Sequence, residues 1–297
     1  MQSLQTITDF IRWGASRFNE AGLFFGHGTD NAMDEAAALV LHTLHLPPDL
    51  PAVWFDARLT EEERVTLLAM LQRRLTERIP LPYLTGEAWF AGLRFKVNPD
   101  VLIPRSPIAE LVEKGFEPWI EAVKIEHLLD LCCGSGCIGI AAACYVPDCE
   151  VDLTDISEAA LRVANDNVQE HGLTNRVNVI KSDLFAALKD KRYDVIVSNP
   201  PYVSCDEMEQ LPREYHYEPV LALEADEDGL AVVNRILREA REYLTPWGIL
   251  VIEVGRSAQA LIDRYPDIPF LWLDFERGGE GVFLFTADEL SQYADLF

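Results

Sequence analysis

The sequence predicts an α/β protein, a doubly wound and mostly parallel sheet preceded by a small helical domain. Three observations carry this. Residues 1–79 show only helical periodicity, apolar runs alternate with helical patterns from about residue 105 onward, and glycine turns or polar residues end several of those runs.

Taken in order, Leu4 to Ala21, Asp30 to Leu46 and Leu59 to Ile79 read as helices, with Leu67, Leu68, Leu71 and Leu75 marking one apolar face. Thr29-Asp30 and Thr60 are the expected N-caps, Thr60 forming a capping box with Glu63. Residues 80–104 change character. Ala88-Trp89-Phe90, the turn Ala91-Gly92 and the alternating Leu93–Val97 read as a β-hairpin linking two domains. Over 105–297 the strand runs are His127–Cys133, Glu150–Ile156, Val177–Lys181, Tyr193–Ser198, Gly248–Val254, Phe270–Phe275 and Gly281–Phe285. Helical patterns fall at Gly139–Tyr145, Ser157–His171, Gly229–Tyr243 and Arg256–Tyr265.

Composition bounds the function. At 297 residues, with 49% hydrophobic and 25% charged residues, the chain is long enough for two domains or one large one and reads as of soluble globular type. A net charge of -24 repels nucleic-acid phosphates and attracts basic partners. The first twenty residues carry Asp9, Arg12, Arg17 and Glu20 and lack a signal-type apolar core, and no run is long enough to span a membrane. Five of the six cysteines lie between Cys132 and Cys149 in a strand-loop-helix pattern, which suits a reduced, cytoplasmic protein better than a disulfide framework. Without a CxxC pair or a nearby histidine set, no metal site is expected.

The chemistry-bearing residues sit at strand ends. Leu128–Cys133 runs into Gly134-Ser135-Gly136, a turn that opens a helix and brings backbone close to a ligand. Asp155 ends the next strand, placed to accept from both hydroxyls of a ribose, and Asp183 and Leu184 end the third, suited to an adenine amino group and ring. Gly134–Gly139 also matches the dinucleotide fingerprint G-x-G-x-x-G. Asp130 before the loop, with Asp183 and Asn199 on later strands, fits a nucleoside with an amino-acid tail better than a pyrophosphate. The fourth strand ends in Asn199-Pro200-Pro201-Tyr202. An amide NH2 is a poor nucleophile because its lone pair is delocalised. Acceptance of its two N–H groups by the Asn199 side-chain oxygen and the Pro200 carbonyl would fix it toward an electrophile, with Pro201 stiffening the turn and Tyr202 packing on the planar group.

The order DLCCGSG, VDLTDIS, SDLF, VSNPPYV resembles the glutamine N5-methyltransferases over essentially the whole chain. Leu102–Arg105, Glu218-Pro219, Ala222-Leu223 and Asp228–Leu230 support this. Cys132-Cys133 stands where that family has Gly-Thr. Ile103–Ile108 and Phe25–Asn31 are similar to the branch that modifies large-subunit ribosomal protein three, rather than the branch that modifies release factors. The resemblance implies a class I, S-adenosylmethionine-dependent fold with a seven-stranded mixed sheet. It also implies a substrate-recognising N-terminal domain over 1–79, a hairpin over 80–104 and a catalytic domain over 105–297. The cofactor would be held by Asp130, Cys132, Cys133, Gly134, Ser135, Gly136, Asp155, Ile156, Asp183, Leu184 and Asn199, and the amide by Asn199, Pro200, Pro201 and Tyr202.

Three alternatives to the ribosomal substrate stand beside it: a release factor, adenine N6 of a nucleic acid, and a non-catalytic ribosome-assembly factor that binds no cofactor. Between Cys205 and Gly229 nine acidic residues face one basic residue, Arg213, and this run follows the reactive turn directly. Such a run repels nucleic acid and attracts a basic protein. His27 and Asp30 are candidate substrate contacts, against the plainer reading of surface or capping residues.

Overall fold

Residues 4–297 are described by a computed structural model and fall into two compact units. The first runs through Ala88 and takes in Pro212–Tyr217; the second comprises Trp89–Leu211 and Glu218–Phe297.

The first unit is helical: α1 (Ile7–Glu20), α2 (Ala32–Thr43), α3 (Glu61–Glu77) and the short α4 (Leu81–Thr85). Its core is the set of apolar faces the periodicity marks, with Phe10, Phe18, Leu39, Leu67 and Leu71 all buried. Thr60 and Glu63 form the expected capping box of α3. At α2 the cap is one position later than Thr29-Asp30. Asn31 Oδ1 reaches both Met33 N and Asp34 N at 3.0 Å, satisfying two orphan donors at once. Leu81–Thr85, within the stretch read as short strands, is a helical turn instead, with Pro82 in its first turn where no intrahelical donor is needed.

A buried charge cluster holds Pro212–Tyr217 in this unit. Arg74 is 1% exposed; its Nε donates to Glu35 Oε1 at 2.6 Å and its Nη2 to the Phe24 carbonyl at 2.9 Å. Glu214 Oε1 accepts from Phe24 N at 3.0 Å and pairs with Arg78 at 2.9 Å. Buried charges persist only when paired in this way. His27 is also buried, its ring centroid 4.6 Å from that of Tyr215 and 6.1 Å from Phe24, so it is part of an aromatic cluster, whereas Asp30 is exposed.

The unit boundary falls within β1 (Glu87–Phe90), which forms a two-stranded sheet with β2 (Leu93–Lys96). Ala91 and Gly92 turn between them with φ of 47 and 70, the left-handed pair that matches hairpin twist. Next come α5 (Ile108–Glu113), β3 (His127–Leu131), α6 (Cys137–Tyr145), β4 (Glu150–Asp155), α7 (Glu158–Glu170), β5 (Val177–Lys181) and β6 (Tyr193–Ser198). The chain ends with α8 (Cys205–Met208), α9 (Ala231–Glu239), β7 (Leu244–Glu253), α10 (Ala258–Arg264), β8 (Leu271–Trp272), β9 (Val282–Thr286) and α11 (Ala287–Gln292).

The large sheet has seven strands in the order β5-β4-β3-β6-β7-β9-β8. β5 through β7 are parallel and β9 is antiparallel to both its neighbours, giving a mixed sheet. Alternation along each strand feeds two cores: Leu128, Val197 and Val251 on one face, Leu129, Ile196 and Leu250 on the other. Strand order reverses between β3 and β6. Ligands bind outside the carboxyl ends of the strands at such a switch point, and here the Gly134 loop and the Asn199 turn both emerge there.

Candidate active site

A cavity of about 290 Å³ opens at this switch point, within the second unit. Of the residues singled out in the sequence, Cys132, Cys133, Gly134, Ser135, Asp155, Ile156, Asp183, Leu184, Asn199 and Pro201 line it. Asp130, Gly136, Pro200 and Tyr202 are not among its lining residues.

Asp130 supports the loop from within the sheet. Its Oδ2 accepts the Gly139 N–H at 2.8 Å, capping an orphan donor in the first turn of α6. Oδ1 is buried with no hydrogen-bond partner among the described residues. Burial pushes this carboxyl up to about 7, helped by the charge of Asp155 and opposed by the Gly139 N–H. Gly139 itself is dictated by packing, since a Cβ there would lie 2.3 Å from Leu153 and 3.0 Å from Asp130. The last glycine of the fingerprint therefore serves helix-to-strand contact.

Asp155 closes the loop from the other side. Its Oδ2 accepts from Gly134 N and its Oδ1 from Ser157 N, both at 2.9 Å. Burial raises this carboxyl, while the N–H groups of Ser157, Gly134 and Ile156 pull it down. Gly134 has φ of 54 and nothing near the position a Cβ would take, so backbone is open to a ligand here. Cys132 has φ of 60, a left-handed conformation at the position where the resembling family carries glycine. Burial pushes the Cys132 and Cys133 thiols well above their ordinary range and Cys137 up to about 12, so all three are neutral thiols that pack as small apolar walls.

Asp183, also in the lining, pairs with Arg235 of α9 at 2.9 Å, both side chains half exposed at the cavity wall. The sequence pattern did not single out Arg235, because a basic residue on an amphipathic helix is ordinary.

Across the cavity stands the Asn199 turn. Asn199 Oδ1 is buried and has no hydrogen-bond partner among the described residues. Such an acceptor costs free energy until a ligand N–H reaches it. Leu102, Pro104, Arg105 and Ser106 also line the cavity. Arg105 makes a two-pronged pair with Glu218, Nη1 to Oε1 at 2.6 Å and Nη2 to Oε2 at 2.9 Å, and Ile103 N donates to the same Oε1 at 2.9 Å.

Two of the nine acids in the run after the turn are thus not surface charge. Glu214 and Glu218 are buried against arginines, and the exposed acidic face is correspondingly smaller than the count suggests. Glu253 was also unforeseen, although an acid inside the apolar run of β7 is the signal that marks it. Among the described residues no helix is long and apolar enough to cross a membrane.

Fold and site together define a class I methyltransferase that uses S-adenosylmethionine. The Methyltransferase small domain matches residues 115–212 and the PrmC N-terminal domain residues 9–86. The ribosomal protein uL3 glutamine methyltransferase of Xylella fastidiosa is 53% identical over 98% of this chain and 93% of its own length. That of Francisella tularensis is 47% identical over 100% of this chain and 95% of its own. The chain belongs to this family of protein-glutamine methyltransferases. Among solved structures, the hMettl16 catalytic domain, crystallised with a MAT2A 3'UTR hairpin, superposes with a TM-score of 0.50 at 18% identity. That match covers 76% of this chain and 81% of the other, a likeness of fold.

Proposed function

We infer that this chain transfers a methyl group from S-adenosylmethionine to the side-chain amide nitrogen of a glutamine in ribosomal protein uL3. The observation that carries the reaction is the buried, unpartnered Oδ1 of Asn199 in the cavity wall. The relatives bearing that name carry the choice of substrate.

The residues present fit the cofactor. Gly134 offers open backbone, Asp155 has carboxylate lone pairs beyond the two bonds it already accepts, and Leu184 with Ile156 gives apolar walls. When bound, S-adenosylmethionine supplies an electrophilic methyl on a sulfonium. The chain's own part is orientation. Asn199 Oδ1 and the Pro200 carbonyl accept the two amide N–H groups, which turns the nitrogen toward the methyl, and on gaining the methyl the nitrogen releases one of those two protons to solvent. Pro201 stiffens the turn and Tyr202 holds its far end. Asp130 acts indirectly, through Gly139 and the loop.

The helical domain, 1–79, is assigned to substrate recognition, with the hairpin as linker and 105–297 as catalyst. A basic protein rather than nucleic acid suits a chain of net charge -24, and the setting is the cytoplasm, where ribosomal proteins are made. Incubating the full chain with methyl-labelled cofactor, purified uL3, a release factor and an RNA oligonucleotide tests this. Label on one uL3 glutamine is expected. Label on the release factor overturns the substrate, and label on RNA overturns the acceptor class.

A further inference from the structure

Glu253 is the last residue of β7 and is 6% exposed, yet neither the cavity lining nor the sequence pattern includes it. Its two oxygens are divided between two distant segments. Oε1 accepts from the Tyr202 hydroxyl at 2.9 Å, and Oε2 accepts from Ser106 Oγ at 2.5 Å. Ser106 lines the cavity, and Tyr202 ends the Asn-Pro-Pro-Tyr turn. One buried carboxylate therefore ties a cavity wall to the turn on which Asn199 sits.

Tyr202 is held at its other end too. Ser257 Oγ donates to its carbonyl at 2.7 Å, and its ring lies so near Gly255 that a Cβ there would approach within 2.7 Å. The ring is thus clamped by backbone on one side and fixed through its hydroxyl on the other. Neighbouring β6 and β7 bring Ser198 opposite Ile252, so the turn starts one residue from the strand end that carries Glu253. Burial raises the Glu253 carboxyl, and the hydroxyls of Ser106 and Tyr202 with the charge of Arg105 pull it down.

We propose that Glu253 is a positioning residue for amide methylation: by accepting from Tyr202 and Ser106 it fixes the turn in the conformation that presents Asn199 to the substrate amide. This rests on the reading of Asn199 as the amide acceptor. A side chain that works only by orientation acts on turnover more than on cofactor binding. Ser106 would be its second anchor. In the sequence, that serine belongs to the Arg105-Ser106-Pro107 variant that separates this chain from the release-factor branch pattern.

The test uses the full chain with uL3 and compares Glu253→Gln, Tyr202→Phe, the double variant and Asn199→Ala. Each is measured for kcat, for KM toward uL3, and for cofactor Kd by calorimetry. Glu253→Gln keeps the volume and removes one acceptor oxygen; Tyr202→Phe removes only the hydroxyl. Each single variant is expected to lose about 10- to 100-fold in kcat with cofactor Kd within about twofold. The double variant is expected to lose no more than the worse single one, as for groups acting as a unit. Near-normal kcat in the two single variants, or losses that multiply, overturns the proposal. Should Glu253→Gln fail to bind cofactor, Tyr202→Phe decides alone: a kcat loss upholds the proposal and a normal kcat overturns it. Asn199→Ala separates the two levels. If it turns over normally, the reading of the turn is wrong; if it collapses while Glu253→Gln does not, only the positioning role fails.

Discussion

Around the Gly134 loop, carboxylates accept backbone N–H groups from nearby sequence: Asp130 from Gly139, nine residues away, and Asp155 from Gly134, twenty-one away. Around the Asn199 turn, carboxylates accept from side chains brought from far along the chain: Glu253 from Ser106 across 147 residues, and Glu218 from Arg105 across 113. The Gly134 side of the cavity is thus a local supersecondary unit, whereas the Asn199 side exists only once the whole sheet has assembled. Loop closure over such separations is entropically costly, and it is sustained by buried charge pairs and hydroxyl bonds. The two halves should fail differently when cut.

The largest effect is expected where the long-range half is cut at its ion pair. Arg105→Ala leaves Glu218, 3% exposed, without its guanidinium, although the Ile103 N–H remains. A loss of about 3 kcal/mol of stability is expected, lowering Tm by several degrees in a thermal melt. An unchanged Tm would show that the distant contacts do not hold this wall. Cutting the local half should move binding instead. Asp155→Asn removes one acceptor oxygen from a cluster of N–H donors, so calorimetry should show cofactor Kd weakened about 10- to 100-fold, with kcat at saturating cofactor nearly kept. Equal affinity would remove Asp155 from the proposed cofactor contacts. The smallest effect belongs to Cys132. Its left-handed φ of 60 strains a side chain, so Cys132→Gly should raise stability by about 0.5–1 kcal/mol in urea denaturation. A loss of that size would mean that its packing outweighs the strain.

What the sequence made legible follows the same division. The placement of Gly134, Asp155, Asp183 and Asn199 at the cavity is legible because each lies at or just beyond the end of a strand whose apolar run is continuous in the chain. The seven-stranded mixed sheet was expected from the family resemblance, but its strand order was not, since pairing is non-local. Glu253 and Arg235 went unread for a related reason. Their partners, Tyr202 and Asp183, are some fifty residues away in sequence, and no local pattern names them. The acidic run misled in size, because charge counting treats Glu214 and Glu218 as solvent-facing when arginines from other segments bury them. Asn31 displaced Thr29-Asp30 as the cap of α2 by geometry that sequence spacing alone does not resolve.

On the proposed mechanism the Asn199 turn holds the substrate amide and contributes little to cofactor affinity. Asn199→Ala, assayed for cofactor Kd by calorimetry and for uL3 methylation at saturating cofactor, tests it most directly. The expected result is a Kd within about threefold of the parent and a kcat lowered about 100- to 1,000-fold. Turnover within a few-fold of the parent would contradict it.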